Sequence, residues 1–314
     1  MSHDNGIDCK NSGQYMSTKF SLSTSLHLLL LLGALAGRVA SGPGQQEAVE
    51  RLTHPEANDR YPAWSPDGRW IAFESDRDGN WELYVVRSDG SQLRRLTENP
   101  AADRHAAWHP TAERLVFRSN RSGQSDLYTL ELASGTVSRL RRLEGEEMSP
   151  AWSPSGRQIS FALLSGDRTN LFTVDANGAS VAQVTDSEFR DVWPRWSPEG
   201  DRLAFFSRRD TNGKDDELYV LDVLTHEVKR ITNSSGHDFC PTWSPDGRRL
   251  AAAKVTANGE RRIRILDLDG QPLREFGFGF ERLTEPDWSP DGRQIAFAGR
   301  RGGAHDIFVY TLPD

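Results

Sequence analysis

Trp64-Ser65-Pro66-Asp67-Gly68 decides the fold, because near-copies of this stretch return five more times along the chain. The motif tryptophans are Trp64, Trp108, Trp152, Trp196, Trp243 and Trp288, and their numbers differ successively by 44, 44, 44, 47 and 45. That period is the length of a propeller blade built from four short strands. The pentapeptide itself reads as a turn. Proline presets φ at the second position, aspartate bonds its local backbone, and glycine accepts the positive φ that ends such a turn.

Working outward from the first copy, residues 61–65 read as an inner strand, 70–75 as a second, 82–87 as a third, and a fourth ends at Leu96 and Thr97. The same offsets hold in the other units. Seven residues after each tryptophan stands Ile71, Leu115, Ile159, Leu203, Leu250 or Ile295, and nine after stands Phe73, Phe117, Phe161, Phe205, Ala252 or Phe297. Such period-two matching marks strands, since a slip of one residue would turn the apolar set outward. The fifth unit departs, with Ala252 in place of an aromatic and Arg264 where the third strand elsewhere carries one. The sixth unit has no fourth strand of its own. Arg51-Leu52-Thr53 matches the closing triplets Arg95-Leu96-Thr97 and Arg230-Ile231-Thr232, so residues 48–53 are expected to supply the outer strand of the last blade. The fold class is therefore all-β: a six-bladed propeller of four-stranded antiparallel blades, closed by an N-terminal strand.

Residues 1–41 lie outside the repeat and read as an export segment. Lys19 precedes an apolar stretch centred on residues 28–32, too short to span a bilayer but suited to a signal peptide. Small residues at Ala34 and Ala36, or at Val39 and Ser41, offer cleavage sites, and Met16 offers an alternative start. An uncleaved anchor is the other reading. Residues 42–47 form a linker and 48–314 the propeller, which places the domain in the periplasm or outside the cell, as a monomer with no stable membrane span after processing. The formal net charge of −7 and the absence of a polybasic patch argue against nucleic acid as a partner. Only Cys9 and Cys240 occur, so a protein that has lost its leader has neither a disulfide framework nor a cysteine zinc site.

The Trp-Ser-Pro-Asp-Gly-Arg runs at 64–69, 243–248 and 288–293, with Ser75, Arg77, the run Glu82-Leu83-Tyr84 and the Arg-Leu-Thr endings, resemble the TolB-like six-bladed propellers, relatives of the WD repeat. The resemblance covers residues 48–314 and does not extend to the α/β domain that precedes the propeller in TolB. It implies a periplasmic interaction module with an envelope protein as partner. Related propellers also cap serine peptidases, whose nucleophile elbow is Gly-x-Ser-x-Gly; the nearest match, Gly123-Gln124-Ser125-Asp126, lacks its second glycine.

Five residues before each motif tryptophan stand Asp59, Asp103, Glu147, Asp191 and Asp238, the sixth unit having Leu283. Inner strands ring the central channel, so these acids are expected at one of its mouths, where carboxylates can gather Ca²⁺ or read a basic peptide. Thirteen residues after the tryptophans stand Arg77, Arg121, Arg209 and Arg301. Acid and arginine recur together in units one, two and four, and pairing between them would need no ligand. Asp238 and Glu147 lack that arginine, with Thr256 and Ser165 in its place, and are the preferred ion or partner ligands. Tyr61, Trp193 and Phe239 lie close to the same mouth as candidate partner contacts or interblade packing. Of the scattered histidines, His105 combined with Arg121 and Asp238 could imitate the channel site of a lyase or glycan-active propeller. No nucleophile–base pair or phosphate loop stands out, so a non-enzymatic binding module is preferred over that alternative.

Overall fold

The computed structural model describes residues 49–54 and 56–313, so the export segment and linker lie outside the described residues. Six four-stranded antiparallel sheets follow one another around a central channel. Their inner strands are Asp59–Trp64, Asp103–Trp108, Glu146–Trp152, Asp191–Trp196, His237–Trp243 and Arg282–Trp288. The sixth sheet takes its outer strand from Val49–Arg51, paired antiparallel with His305–Thr311 in the register Val49 to Tyr310 and Arg51 to Phe308. The ring closes as the triplet comparison requires.

The reason for the triplet is visible in its threonine. Thr97 Oγ1 accepts the Leu83 amide at 2.9 Å, Thr232 Oγ1 accepts Leu218 at 2.9 Å, and Thr53 Oγ1 accepts Ile307 at 2.9 Å. Each hydroxyl replaces a ladder bond where the outer strand ends. The triplet arginine pairs with an acid at the start of the third strand: Arg95 with Glu82 at 3.2 Å, Arg230 with Glu217 at 3.3 Å, and Arg51 with Asp306 at 2.5 Å.

The Trp-Ser-Pro-Asp-Gly turns do what their chemistry dictates. Ser65 Oγ donates to Asp67 at 2.7 Å and accepts the Trp70 amide at 2.9 Å, while Gly68 takes φ of +69°. Five motif tryptophans are buried and Trp108 partly so. Two of them staple neighbouring blades: Trp108 Nε1 donates to the Ala63 carbonyl and Trp243 Nε1 to that of Arg195, both at 2.9 Å. The apolar core is thus spread between adjacent blades around the ring, rather than gathered at one centre.

Every inner strand carries a bulge, between Arg60 and Ala63 in the first blade and at the equivalent place in the other five. The bulged residue, three before the tryptophan, has positive φ in all six: Tyr61, His105, Ser149, Trp193, Cys240 and Glu285. Five of the six are followed by proline, namely Pro62, Pro150, Pro194, Pro241 and Pro286. Proline has no N–H to give to a ladder and is tolerated at bulges and on open edges, and the inner strand presents its open edge to the channel.

Candidate functional site

At the loop-bearing mouth the recurring acids are buried, four of the five beneath arginines. Asp59, Asp103, Asp191 and Asp238 are 0% exposed and Glu147 2%. Arg77 Nη2 donates to both Asp59 oxygens at 3.0 Å, Arg121 Nη2 to Asp103 at 2.7 and 2.9 Å, and Arg209 Nη2 to Asp191 at 2.5 Å. The second-strand serines Ser75, Ser119 and Ser207 accept from the Nε of the same arginines at 2.9, 3.0 and 3.4 Å. Each guanidinium also lies on a pair of rings, Phe73 and Tyr84, Phe117 and Tyr128, or Phe205 and Tyr219. Burial raises the pKa of Asp59, Asp103 and Asp191, although their serine and arginine partners pull the other way. The acids stand at the mouth as expected, but buried, so their carboxylates are not presented to solvent there. What these triads leave partly exposed is arginine.

Asp238 is not the unpartnered acid expected from Thr256. Lys254 Nζ and Arg264 Nη1 each reach it at 3.1 Å, and Ser234 Oγ donates at 2.8 Å. The two departures already seen in the fifth unit supply the cause. Ala252 stands opposite Arg264 in the strand pairing, and an alanine in place of the usual ring leaves room for Arg264 to turn inward. In the sixth blade Leu283 pairs with Gly299, and a side chain on that glycine would meet Phe280 at 2.7 Å. Arg301, freed of a carboxylate, stacks on Phe280 at 4.1 Å and donates to the Phe278 carbonyl.

Glu147 stands apart. Its strand partner is Leu163, where blades one, two and four have serine, and Oε2 accepts the Leu127 amide at 2.7 Å. Oε1 has no hydrogen-bond partner among the described residues, and burial, reinforced by the charge of Asp126, pushes the carboxyl up to about 7. A raised carboxyl pKa stabilises the folded protein below the unfolded value near 4.5, and that stability is lost as pH rises through 7. Glu147→Gln is expected to raise unfolding free energy by about 3 kcal/mol at pH 8 and by less than about 1 kcal/mol at pH 5. Paired urea denaturations at the two pH values check this, and an equal effect at both would refute it.

The remaining candidates separate. Phe239 is 1% exposed and packs on Phe206 within the core. Tyr61 and Trp193 meet His105 inside the channel, with ring centroids 4.0 Å apart for Tyr61 and His105 and 5.4 Å for Trp193 and His105. Of the lyase-like set, His105 lies in this aromatic plug, Arg121 holds Asp103, and Asp238 is bound by Lys254 and Arg264. Among the described residues no group of three or more His, Cys, Asp or Glu side chains is placed to hold a metal ion. No helix among them is long and apolar enough to cross a membrane.

Around the plug lie charges that the acid series did not reveal. Arg60 pairs with Glu285 and Arg104 with Glu74 at 2.8 Å, joining blade one to blades six and two. Glu285 also accepts the Tyr61 amide at 2.9 Å, and Glu74 that of His105 at 3.0 Å. One residue before the tryptophans, Ala63, Ala107 and Ala151 stand on blades one to three, and Arg195, Thr242 and Asp287 on blades four to six. Proline two residues before the tryptophan was the available signal for both sets, since it marks a bulge that redirects its neighbours.

A family model described as TolB beta propeller domain matches residues 47–144 and 210–314. The chain is similar to a putative TolB of Agrobacterium tumefaciens, with 20% identity, a TM-score of 0.66, and coverage of 85% of this chain and 97% of that one. It is similar to TolB of Acinetobacter baumannii at 20% identity and TM-score 0.63, covering 81% of this chain and 64% of that one. An oligogalacturonate lyase in complex with manganese has 14% identity, TM-score 0.57, and coverage of 85% and 93%. At these identities the likeness is one of fold. An uncharacterized protein of Agrobacterium fabrum is 51% identical over 43 residues, a stretch equal to 14% of this chain and 15% of that protein.

Proposed function

Because the chain belongs to the TolB beta propeller domain family, we propose that it is an exported, non-enzymatic module whose loop-bearing mouth binds a protein or peptide of the cell envelope. The observation that carries the proposal is the set of three equivalent arginines. Arg77, Arg121 and Arg209 have side chains 22, 21 and 20% exposed, each fixed by a buried aspartate, a serine and two rings. Their Nη1 groups have no partner among the described residues. Donors held this firmly lose little freedom when a partner docks, which favours binding through preorganisation. They suit carbonyl or carboxylate acceptors on the partner, in place of the basic peptide that exposed acids would have favoured.

The test replaces the three arginines by lysine, keeping charge while removing the fixed fork. Immobilised protein is passed over an envelope fraction. A protein retained by the parent and lost by the triple variant, with folding intact by circular dichroism, is the expected result. Retention no greater than on a charge-matched control, or unaffected by the substitutions, would overturn the proposal.

A further inference from the structure

The opposite end of the channel carries a second, separate feature. Between the aromatic plug and the Trp-Ser-Pro turns lies a cavity of about 180 Å³, lined by Trp64, Trp108, Trp152, His105, Arg195 and Asp287 among others. It exists because the ring one residue before the tryptophans is alanine on three successive blades. Its polar wall is unusual. Arg195 stacks on Trp193 at 4.6 Å and donates to the Pro194 carbonyl at 3.2 Å, yet no carboxylate of the described residues lies within ion-pair distance of it. Arg195 is only partly exposed, and a guanidinium drawn part-way out of water without an ion pair is costly. Among the described residues, both ring nitrogens of His105, which is 4% exposed, lack hydrogen-bond partners, as do the indole nitrogens of Trp64 and Trp152.

We propose that this vestibule binds a small organic monocarboxylate, its carboxylate forked by the Arg195 guanidinium and its flat body held against the motif tryptophans. The wall offers donors: the planar fork of arginine matches a carboxylate in two parallel bonds, and indole N–H groups donate only. Two carboxylates, Glu285 and Asp287, also line it, and both are engaged by protein donors: Glu285 by Arg60 and by the Tyr61 amide at 2.9 Å. Asp287 has its two oxygens engaged by the Trp64 amide at 2.8 Å and the Thr242 hydroxyl at 3.1 Å. Its charge still opposes a second negative group on the ligand, which is the reason for one carboxylate rather than two. The alanines and the small volume exclude a bulky body. Burial, reinforced by the charges of Arg118, Arg104, Arg60 and Arg195, keeps the His105 imidazole neutral, so one of its nitrogens can donate and the other accept.

Benzoate is the probe, followed by calorimetry and by the indole N–H resonances of Trp64 and Trp152. Saturable binding is expected, with benzamide and phthalate each weaker by about tenfold or more, and Arg195→Gln weakening benzoate by a similar factor. Ala107→Leu, which fills the vestibule and leaves Arg195 in place, is expected to abolish binding. It serves as the second arm if Arg195→Gln does not fold. Equal affinity for benzoate and benzamide, or benzoate binding that survives Ala107→Leu, would overturn the proposal. So would a free-carboxyl tripeptide binding more tightly than benzoate and losing affinity on C-terminal amidation, since the site would then read a chain terminus. These arms do not involve Arg77, Arg121 or Arg209, so their outcome is independent of the envelope-protein test.

Discussion

Deleting residues 47–53 is expected to lower the melting temperature by about 10–15 °C and to make the protein prone to aggregation. The segment contributes Leu52, which is 5% exposed and packs into the cluster between the last and first blades. Burying such a side chain stabilises by roughly 1.5–3 kcal/mol. Its removal also strips Arg51 from Asp306, a carboxyl that is 3% exposed, and takes away the Thr53 hydroxyl that receives the Ile307 amide. The Leu52 amide no longer reaches the Ile307 carbonyl at 2.8 Å, and the strand His305–Thr311 becomes an open edge. Scanning calorimetry with parallel light scattering measures both effects. A melt unchanged by the deletion would show that the ring does not depend on this strand.

Glu285→Ala is expected to destabilise the fold by about 3–5 kcal/mol, the cost of removing one partner of a buried ion pair. Arg60 and Glu285 have side chains 1% exposed, and their pairing joins the first and sixth blades from inside the channel, where no outer strand reaches. The glutamate serves the Tyr61 amide as well, at the bulge where the backbone takes positive φ, so its loss touches the aromatic plug. Replacing both partners, Arg60→Met with Glu285→Leu, is expected to recover only part of the loss, because the apolar pair carries no charge desolvation penalty but no longer accepts the Tyr61 amide. Urea denaturation of the two single variants and the double gives the coupling directly. A single-variant cost below about 1 kcal/mol would mean that water or relaxation compensates Arg60, contrary to its burial.

Blade number, phase and closure were legible in the chain because each depends on local chemistry repeated in register. A Ser-Pro-Asp-Gly turn needs only its own residues, and alternation along a strand needs only its neighbours. The Arg-Leu-Thr triplet was legible for the same reason, although its purpose appeared only once Thr53, Thr97 and Thr232 were seen capping equivalent strands. The Asp–Arg pairs were half legible. Their spacing within each repeat foretold the partners in blades one, two and four, but not Lys254 and Arg264 on Asp238, which follow from the space left by Ala252.

By itself the sequence determined the architecture: six blades, a shared last sheet, and the unit positions at which acid and arginine recur. Tertiary structure alone decided which groups face the channel. Arg60 and Glu285 lie 225 residues apart, and Ala63, Arg195 and Asp287 come from three different blades. A repeat pattern reports what each blade does for itself, whereas the channel is made of one residue from every blade. Ring closure brings those residues together and sets whether an arginine there pairs with a carboxylate, as Arg60 does, or lines a cavity without one, as Arg195 does.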